Sequence, residues 1–220
     1  MSRGVLEPSY RKRIGYQAML LGGMATMVSA VLVLGDLRTQ GDIALRHAED
    51  LRASLSQVMP QSYYDNDLLA DTLSIGTDGK QQTLIYIGRK GGKVSSVAFE
   101  VIGQGYSGEV ASIMGIDNDG NMLGVRVLRH AETPGLGDKI EVARDNWILS
   151  FDGHNLGNPE SKGWKVKKDG GIFDQFTGAT ITPRAVVSSV YNGLTFFQNH
   201  KKQIINTPPP EPVASEEKPK

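Results

Sequence analysis

The sequence contains no cysteine, which excludes disulfides, thiolate zinc sites and a cysteine-bound iron–sulfur cluster. Its 24 cationic and 24 anionic side chains give a formal net charge of zero, and no basic stretch is interleaved with aromatic residues. Nucleic acid is therefore not expected as a partner. The four histidines, at positions 47, 130, 154 and 200, lack the spacing of metal ligands, so no metal site is expected either.

A long apolar run lies close to the N-terminus. No charged residue occurs between Ile14 and Gly35, and a helix of that length spans a bilayer core of about 30 Å. A cleaved signal peptide is the alternative. The run is longer than the apolar part of a signal peptide and no clear Ala-x-Ala site follows Leu34, which favours an uncleaved anchor at 14–35.

The charges that flank this run predict its orientation. Cations precede it in Arg11-Lys12-Arg13, whereas the charges that follow are largely anionic, at Asp36, Asp42, Glu49 and Asp50. Cationic flanks stay in the cytoplasm. We therefore expect residues 1–13 to be cytoplasmic and the chain to cross the cytoplasmic membrane once, which is the inner membrane if the cell is a Gram-negative bacterium. The rest would lie on the outer face, which is periplasmic in a Gram-negative bacterium.

Residues 36–206 are predicted to form one α+β domain with an antiparallel sheet flanked by helices. Strands are expected at Thr83–Arg89, Val94–Ile102, Val110–Asp117 and Met122–His130, with an Asp-Gly turn at 118–121 joining the last two. Helices are expected at Gly41–Met59, Asp138–Leu149 and Thr182–His200, with a short helical piece at 66–70 and a short strand at 163–166. Residues 207–220, rich in proline and charge, are predicted to be a disordered tail.

The segment 174–184 reads Asp-Gln-Phe-Thr-Gly-Ala-Thr-Ile-Thr-Pro-Arg. Thr182 followed by Pro183 predicts a helix start, with a hydroxyl at the N-cap and proline at the first helical position. Gly178 and Ala179 allow backbone N–H groups to approach a ligand closely. Small residues that run into a helix N-terminus are typical of phosphate sites. The pattern alone leaves open both a phosphate site and a capped turn before a packed helix.

Two side chains of this segment are further candidates for contact with a phosphate. Arg184 is a cation in the first helical turn, where the helix dipole disfavours it, and an anion nearby would remove that penalty. The hydroxyl of Thr177 could donate a hydrogen bond to the same anion. We therefore predict that both residues contribute to the site.

The pattern Asp174-x-x-Thr177-Gly178-Ala179-Thr180 resembles the flavinylation motif of the FMN-binding domain family. In that family the last threonine of the motif is esterified to the phosphate of FMN, and a dedicated FAD:protein FMN transferase makes the bond. The resemblance implies covalent FMN held by a phosphoester on Thr180, with the transferase as a maturation partner. It also implies that Asp174 belongs to the sequence recognised during attachment.

Two further blocks resemble the same family. Residues 130–139 resemble the segment that packs against the flavin, and Gly103-Gln-Gly-Tyr-Ser-Gly108 resembles a glycine-rich turn that faces it. The candidate flavin contacts in these blocks are Glu132, Thr133, Gly135, Leu136, Tyr106 and Ser107. We interpret Glu132 as a polar flavin contact, because no nucleophile, oxyanion hole or second carboxylate accompanies it.

The glycines at 103, 105 and 108 also fit the letters of the dinucleotide fingerprint. That fingerprint must open a helix after a strand, whereas residues 109–116 have the character of a strand. We therefore reject a dinucleotide site at this turn.

Over residues 15–200 the order of features resembles the FMN-bearing subunits of Rnf-type ion-translocating electron transport complexes. Such complexes move electrons between ferredoxin and NAD. The resemblance implies an electron-carrying subunit with other membrane and redox subunits as partners and no complete reaction of its own. Three alternatives stay open: the related FMN-bearing subunit of a sodium-translocating NADH:quinone reductase, a free-standing flavin reductase, and a non-catalytic anchor or assembly subunit.

Overall fold

The computed structural model describes residues 14–77 and 81–210. The cations of residues 1–13 and the last ten residues of the predicted tail lie outside the described residues. The chain divides into two units, Met1–Asp50 and Leu51–Lys220.

Helix α1 spans Ile14–Val58, so the helix predicted from Gly41 is the continuation of the anchor rather than a separate element. Its part Ile14–Asp36 has 23 residues, a mean hydropathy of 2.0 and an exposed apolar surface, and is long enough to cross a membrane once. The helix ends just before Pro60, as expected, because the residue before a proline disfavours the helical conformation.

The second unit is built on an antiparallel sheet of five strands in the order β1-β2-β3-β4-β5. The strands are β1 Thr72–Thr77, β2 Gln81–Lys90, β3 Lys93–Gln104, β4 Glu109–Asp117 and β5 Met122–Arg129. The four strands predicted from the sequence are confirmed, and β1 was missed. The expected turn after β4 is also present, where the Asp117 carboxylate accepts hydrogen bonds from the backbone N–H groups of Asp119 and Asn121.

Both faces of the sheet are packed against other elements. Helix α2, Ile181–Ile205, lies mainly against β3, and its apolar stripe is buried at Val186, Val187, Val190, Leu194 and Phe197. The last turns of α1 bury Leu55, Val58 and Met59 in a second cluster that includes Ala98 of β3 and Ile113 of β4. This arrangement confirms the predicted α+β class.

The helix predicted at Asp138–Leu149 is wrong. Two short 3-10 helices, Asp138–Ile140 and Asn146–Phe151, take its place. The side chain of Asp145 accepts the backbone N–H of Trp147 at 2.9 Å and caps the second helix, which interrupts a continuous α-helix. Residues 66–70 form turns, and Val166 makes a single bridge to Phe173 in place of a strand at 163–166.

The first residues of the predicted tail are tied to the sheet. The carbonyl groups of Thr207 and Pro208 accept hydrogen bonds from the Arg89 guanidinium at 3.0 and 2.9 Å. Arg89 is buried on β2. The expectation that order ends at residue 206 is therefore wrong for these two residues.

Candidate functional site

A cleft of about 340 Å³ lies where the β3–β4 turn, the loop after β5 and the start of α2 meet. This volume is within the range of about 300–1,000 Å³ that small-molecule sites occupy. The cleft is lined by Tyr106, Glu132, Thr133, Leu136, Gly137, Gly178, Ala179, Thr180 and Ile181. The three sequence blocks singled out above thus converge on one site.

Aromatic packing and hydrogen bonds hold the loop at 174–180, which precedes α2. Phe176 is buried, its ring meets the Trp147 ring edge to face at 5.1 Å, and its carbonyl accepts the N–H of Ala179 at 3.2 Å. The indole N–H of Trp147 donates to the carbonyl of Asp174 at 2.8 Å. Gly178 has a φ of 84°, a conformation that glycine adopts without steric cost. These contacts fix the path of the backbone that leads into Thr180.

Helix α2 begins at Ile181, with Thr180 as its N-cap residue. The predicted N-cap at Thr182 is therefore wrong, because this hydroxyl is fully buried and donates to Oε2 of Glu132 at 2.5 Å. Pro183 is tolerated inside the first turn, where backbone N–H groups have no helical partner. The Thr180 side chain makes no capping hydrogen bond. Thr180 lines the cleft at the positive end of the helix dipole.

Glu132 is buried at the back of the cleft, with 6% of its surface exposed. Its Oε1 accepts the backbone N–H groups of Tyr106 and Ser107 at 2.9 and 3.1 Å, and its Oε2 accepts the Thr182 hydroxyl. Both carboxylate oxygens are therefore engaged by protein donors. The sequence located Glu132 at the site but did not reveal these partners.

Arg184 forms a two-point ion pair with Asp169, with its Nε 2.6 Å from Oδ2 and its Nη2 2.7 Å from Oδ1. The hydrogen bond from Arg184 lowers the pKa of Asp169 below the ordinary value of 3.8, and the same bond raises the pKa of Arg184. Asp169 thus supplies the anion that the sequence argument required near this cation. Arg184 does not line the cleft.

The predicted site residues fall into two groups. Those that line the cleft are Tyr106, Glu132, Thr133, Leu136, Gly178, Ala179 and Thr180. The others do not line the cleft: Thr177 and Gly135 are exposed, and Arg184 is paired with Asp169. The backbone N–H of Ser107 donates a hydrogen bond to Glu132, which does line the cleft. Gly137, Ile181 and Thr182 were missed. Gly137 and Ile181 are direct neighbours of predicted residues in the sequence. Thr182 was interpreted as a helix cap, and nothing in the sequence indicates that its hydroxyl bonds to a carboxylate 50 residues away.

This arrangement is suited to a phosphorylated planar ligand. A threonine at a helix start favours a phosphate, and Leu136, Ile181 and Tyr106 supply apolar surface for a ring. The family model of the FMN-binding domain matches residues 105–195, which include all three sides of the cleft. Fold and site together define a protein with an FMN-binding domain.

Curated relatives extend the match over most of the chain. The G subunit of the ion-translocating oxidoreductase complex of Cereibacter sphaeroides is 48% identical over 192 residues, covering 87% of this chain and 88% of the relative. The protein of the same name from Stutzerimonas stutzeri is 44% identical over 195 residues, 89% of this chain and 86% of the relative. The chain belongs to the family of G subunits of ion-translocating oxidoreductase complexes.

Two solved structures are also similar. The crystal structure of Shewanella oneidensis NqrC matches with a TM-score of 0.47 and 22% identity, covering 70% of this chain and 74% of that one. The C subunit of the Na(+)-translocating NADH-quinone reductase from Parabacteroides distasonis matches with a TM-score of 0.41 and 22% identity, covering 57% and 64%.

Proposed function

We propose that this chain is an electron-carrying subunit of an ion-translocating oxidoreductase complex and that it holds FMN through a phosphoester on Thr180. The observation that carries the proposal is the position of Thr180, which is the N-cap residue of α2 and lines the cleft formed by the three family blocks. Bound FMN supplies one- and two-electron redox chemistry. The protein's part is to hold the ring and to set its surroundings.

With FMN esterified at Thr180, the start of α2 would hold the phosphate, because the helix dipole favours an anion there. Leu136 and Ile181, which line the cleft, would supply apolar surroundings for the ring. Tyr106 lines the cleft and is 73% exposed, so this side of the cleft would be open to a partner redox centre. A covalent bond also prevents loss of the cofactor on the outer side of a membrane.

The names of the relatives, which are subunits of a complex, support other subunits as partners. We expect these partners to include membrane and redox subunits, and we expect this chain to carry out no complete reaction alone. Attachment of FMN requires an enzyme that transfers it, and the flavinylation motif at 174–180 supports an FAD:protein FMN transferase in that role. Thr177 and Arg184 remain predicted phosphate contacts. In the structure Arg184 has Asp169 as its partner, so we expect a smaller effect from Arg184 than from Thr180.

The cations before Ile14 and the anions after Gly35 support a cytoplasmic N-terminus and a periplasmic FMN-binding domain. Protease added to intact spheroplasts is then expected to digest the domain. Full protection until the cells are lysed would contradict this orientation.

Flavin fluorescence in a denaturing gel tests the attachment. The protein is co-expressed with the transferase, and Thr180→Val is compared with Thr177→Val, because valine closely matches the shape of threonine and lacks the hydroxyl. We expect the fluorescent band to disappear only in Thr180→Val. A band of unchanged intensity in Thr180→Val would refute the proposal, and a dark wild-type band would favour a non-catalytic anchor or assembly subunit.

A further inference from the structure

We propose that Glu132 and Thr182 form a clamp that fixes the width of the flavin cleft, and that both are positioning residues. The inference rests on the proposed function, because it concerns the surroundings of the FMN held at Thr180. It assigns to Glu132 a role other than the direct flavin contact expected from the sequence. It also gives Thr182, which does not line the cleft, an effect on the flavin.

The clamp joins opposite sides of the cleft through one carboxylate. On one side, Oε1 of Glu132 accepts two backbone N–H groups of the β3–β4 turn, those of Tyr106 and Ser107. On the other side, Oε2 accepts the hydroxyl of Thr182 in the first turn of α2. A carboxylate that accepts several hydrogen bonds in a buried position holds its partners strongly, because the bonds are charge-assisted.

Two glycines make room for this carboxylate. A Cβ atom on Gly105 would collide with Oε1, and a Cβ on Gly137 would lie 2.6 Å from Oε2. Real Cβ atoms do not approach an oxygen so closely, so a side chain at either position would displace the carboxylate. Gly105 and Gly137 therefore allow the Glu132 carboxylate to lie directly against the backbone of both loops.

The backbone of Glu132 is held as well. Its N–H donates to Nδ1 of His130 at 3.0 Å, and Nε2 of the same ring lies 2.7 Å from Oε1 of Glu141. Because Nδ1 accepts a hydrogen bond, Nε2 carries the ring proton, and this N–H donates a hydrogen bond to Oε1 of Glu141. The main chain of Glu132 is thus held in place, and this fixes the position of its carboxylate. The carboxylate in turn fixes the positions of the turn at Tyr106 and of the start of α2.

Removal of the Thr182 hydroxyl tests the clamp in the full-length protein matured with the transferase. Thr182→Val leaves Oε2 of Glu132 without its donor, while Thr182→Ser keeps the hydroxyl. Thr195→Val is the matched control: it removes a hydroxyl from the same helix, where Thr195 donates to the carbonyl of Tyr191 at 3.0 Å. The readouts are iodide quenching of the FMN fluorescence, the visible spectrum and the midpoint potential, with the Thr180 adduct quantified by mass spectrometry.

We expect Thr182→Val to raise the iodide quenching constant and to shift both spectrum and potential, while Thr182→Ser and Thr195→Val match the wild type. Glu132→Gln should change the same readouts at least as strongly, because it also weakens the bonds to the N–H groups of Tyr106 and Ser107. Adding Thr182→Val to Glu132→Gln should have little further effect, because the bond that it removes is already perturbed. If Glu132→Gln alters the flavin but Thr182→Val does not, Glu132 is a direct ligand and the clamp is wrong.

Hydrogen exchange in the wild type gives a test that does not depend on any variant folding. The N–H groups of Tyr106 and Ser107 lie in an exposed turn, so protection from exchange there is expected from their bonds to Glu132. Rapid exchange at both would overturn the clamp. A wild-type protein without flavin on Thr180 would instead refute the proposed function, whatever the exchange rates.

Discussion

Arg89 on β2 forms a buried ion pair with Asp71, in which Nε lies 2.6 Å from Oδ2 and both side chains are 5% exposed. The remaining donors of the guanidinium reach the carbonyls of Thr207 and Pro208. One buried cation therefore joins the segment before β1, the strand β2 and the chain that follows α2. The sequence offered no sign of this, because the partners lie 18 and more than 100 residues apart.

Truncation after Asn206 is expected to destabilise the FMN-binding domain by about 1–3 kcal/mol, because buried donors of Arg89 lose their acceptors. Truncation after Pro210 keeps both carbonyls and should leave the free energy of unfolding unchanged. Urea unfolding of the purified proteins measures the difference. Equal stability of the two truncated proteins would show that the contacts to Thr207 and Pro208 contribute nothing.

Asp71→Asn should cost about 3–5 kcal/mol, since it leaves a buried guanidinium without its counter-charge. The control is Asp67→Asn, which breaks the pair between Arg52 and Asp67, where the side chains are 63% and 55% exposed. Exposed pairs contribute about 0–1 kcal/mol, so the control should have little effect. A similar loss of stability in Asp71→Asn and Asp67→Asn would contradict the claim that the pair with Asp71 is buried and the pair with Asp67 is exposed.

Trp147→Phe removes the indole N–H that holds the carbonyl of Asp174, six residues before Thr180, the proposed attachment residue. We expect hydrogen exchange to speed up across 174–180 and the amount of attached flavin to fall, with the domain still folded. Trp164→Phe is the matched control, because its indole N–H donates to the carbonyl of Pro159 instead. An equal effect of both variants on residues 174–180 would mean that general packing, rather than this hydrogen bond, orders the loop.

The pair between Arg184 and Asp169 predicts a pH dependence. Because the hydrogen bond from Arg184 lowers the pKa of Asp169, the pair stabilises the folded state above the ordinary pKa of 3.8. That contribution is lost as the pH falls through the lowered value. An NMR titration should show the lowered pKa in the wild type and a return toward 3.8 in Arg184→Ala. An unchanged titration in the variant would exclude Arg184 as the cause.

Short-range signals explain which parts of the fold could be predicted. The strands β2 to β5 have apolar stretches bounded by glycine or Asp-Gly turns, and α2 has its apolar stripe at helical spacing. The prediction of a helix at Asp138–Leu149 is wrong because the Asp145 side chain caps a new helical turn within this segment. The strand β1 was missed because Thr72–Thr77 carries few apolar residues and lies beside a single neighbouring strand.

The site was predictable as a set of residues but not as a set of contacts. The residues that line the cleft stand in three recognisable blocks, and the structure brings Thr180, Leu136 and Tyr106 to one cleft. Their contact with FMN stays a prediction. The partners of Thr182 and Arg184 could not be foreseen. Each depends on a carboxylate brought near by the tertiary fold, from 50 residues away for Thr182 and from 15 residues away for Arg184.

Peptide mass spectrometry of the wild-type protein, co-expressed with the transferase, tests the central claim most directly. We expect one FMN phosphoester per chain, located on Thr180, the N-cap residue of α2 that lines the cleft. Fragmentation of the peptide that spans Asp174 to Arg184 distinguishes Thr180 from Thr177 and Thr182. An adduct on either of those threonines, or a peptide without any flavin, would contradict the account.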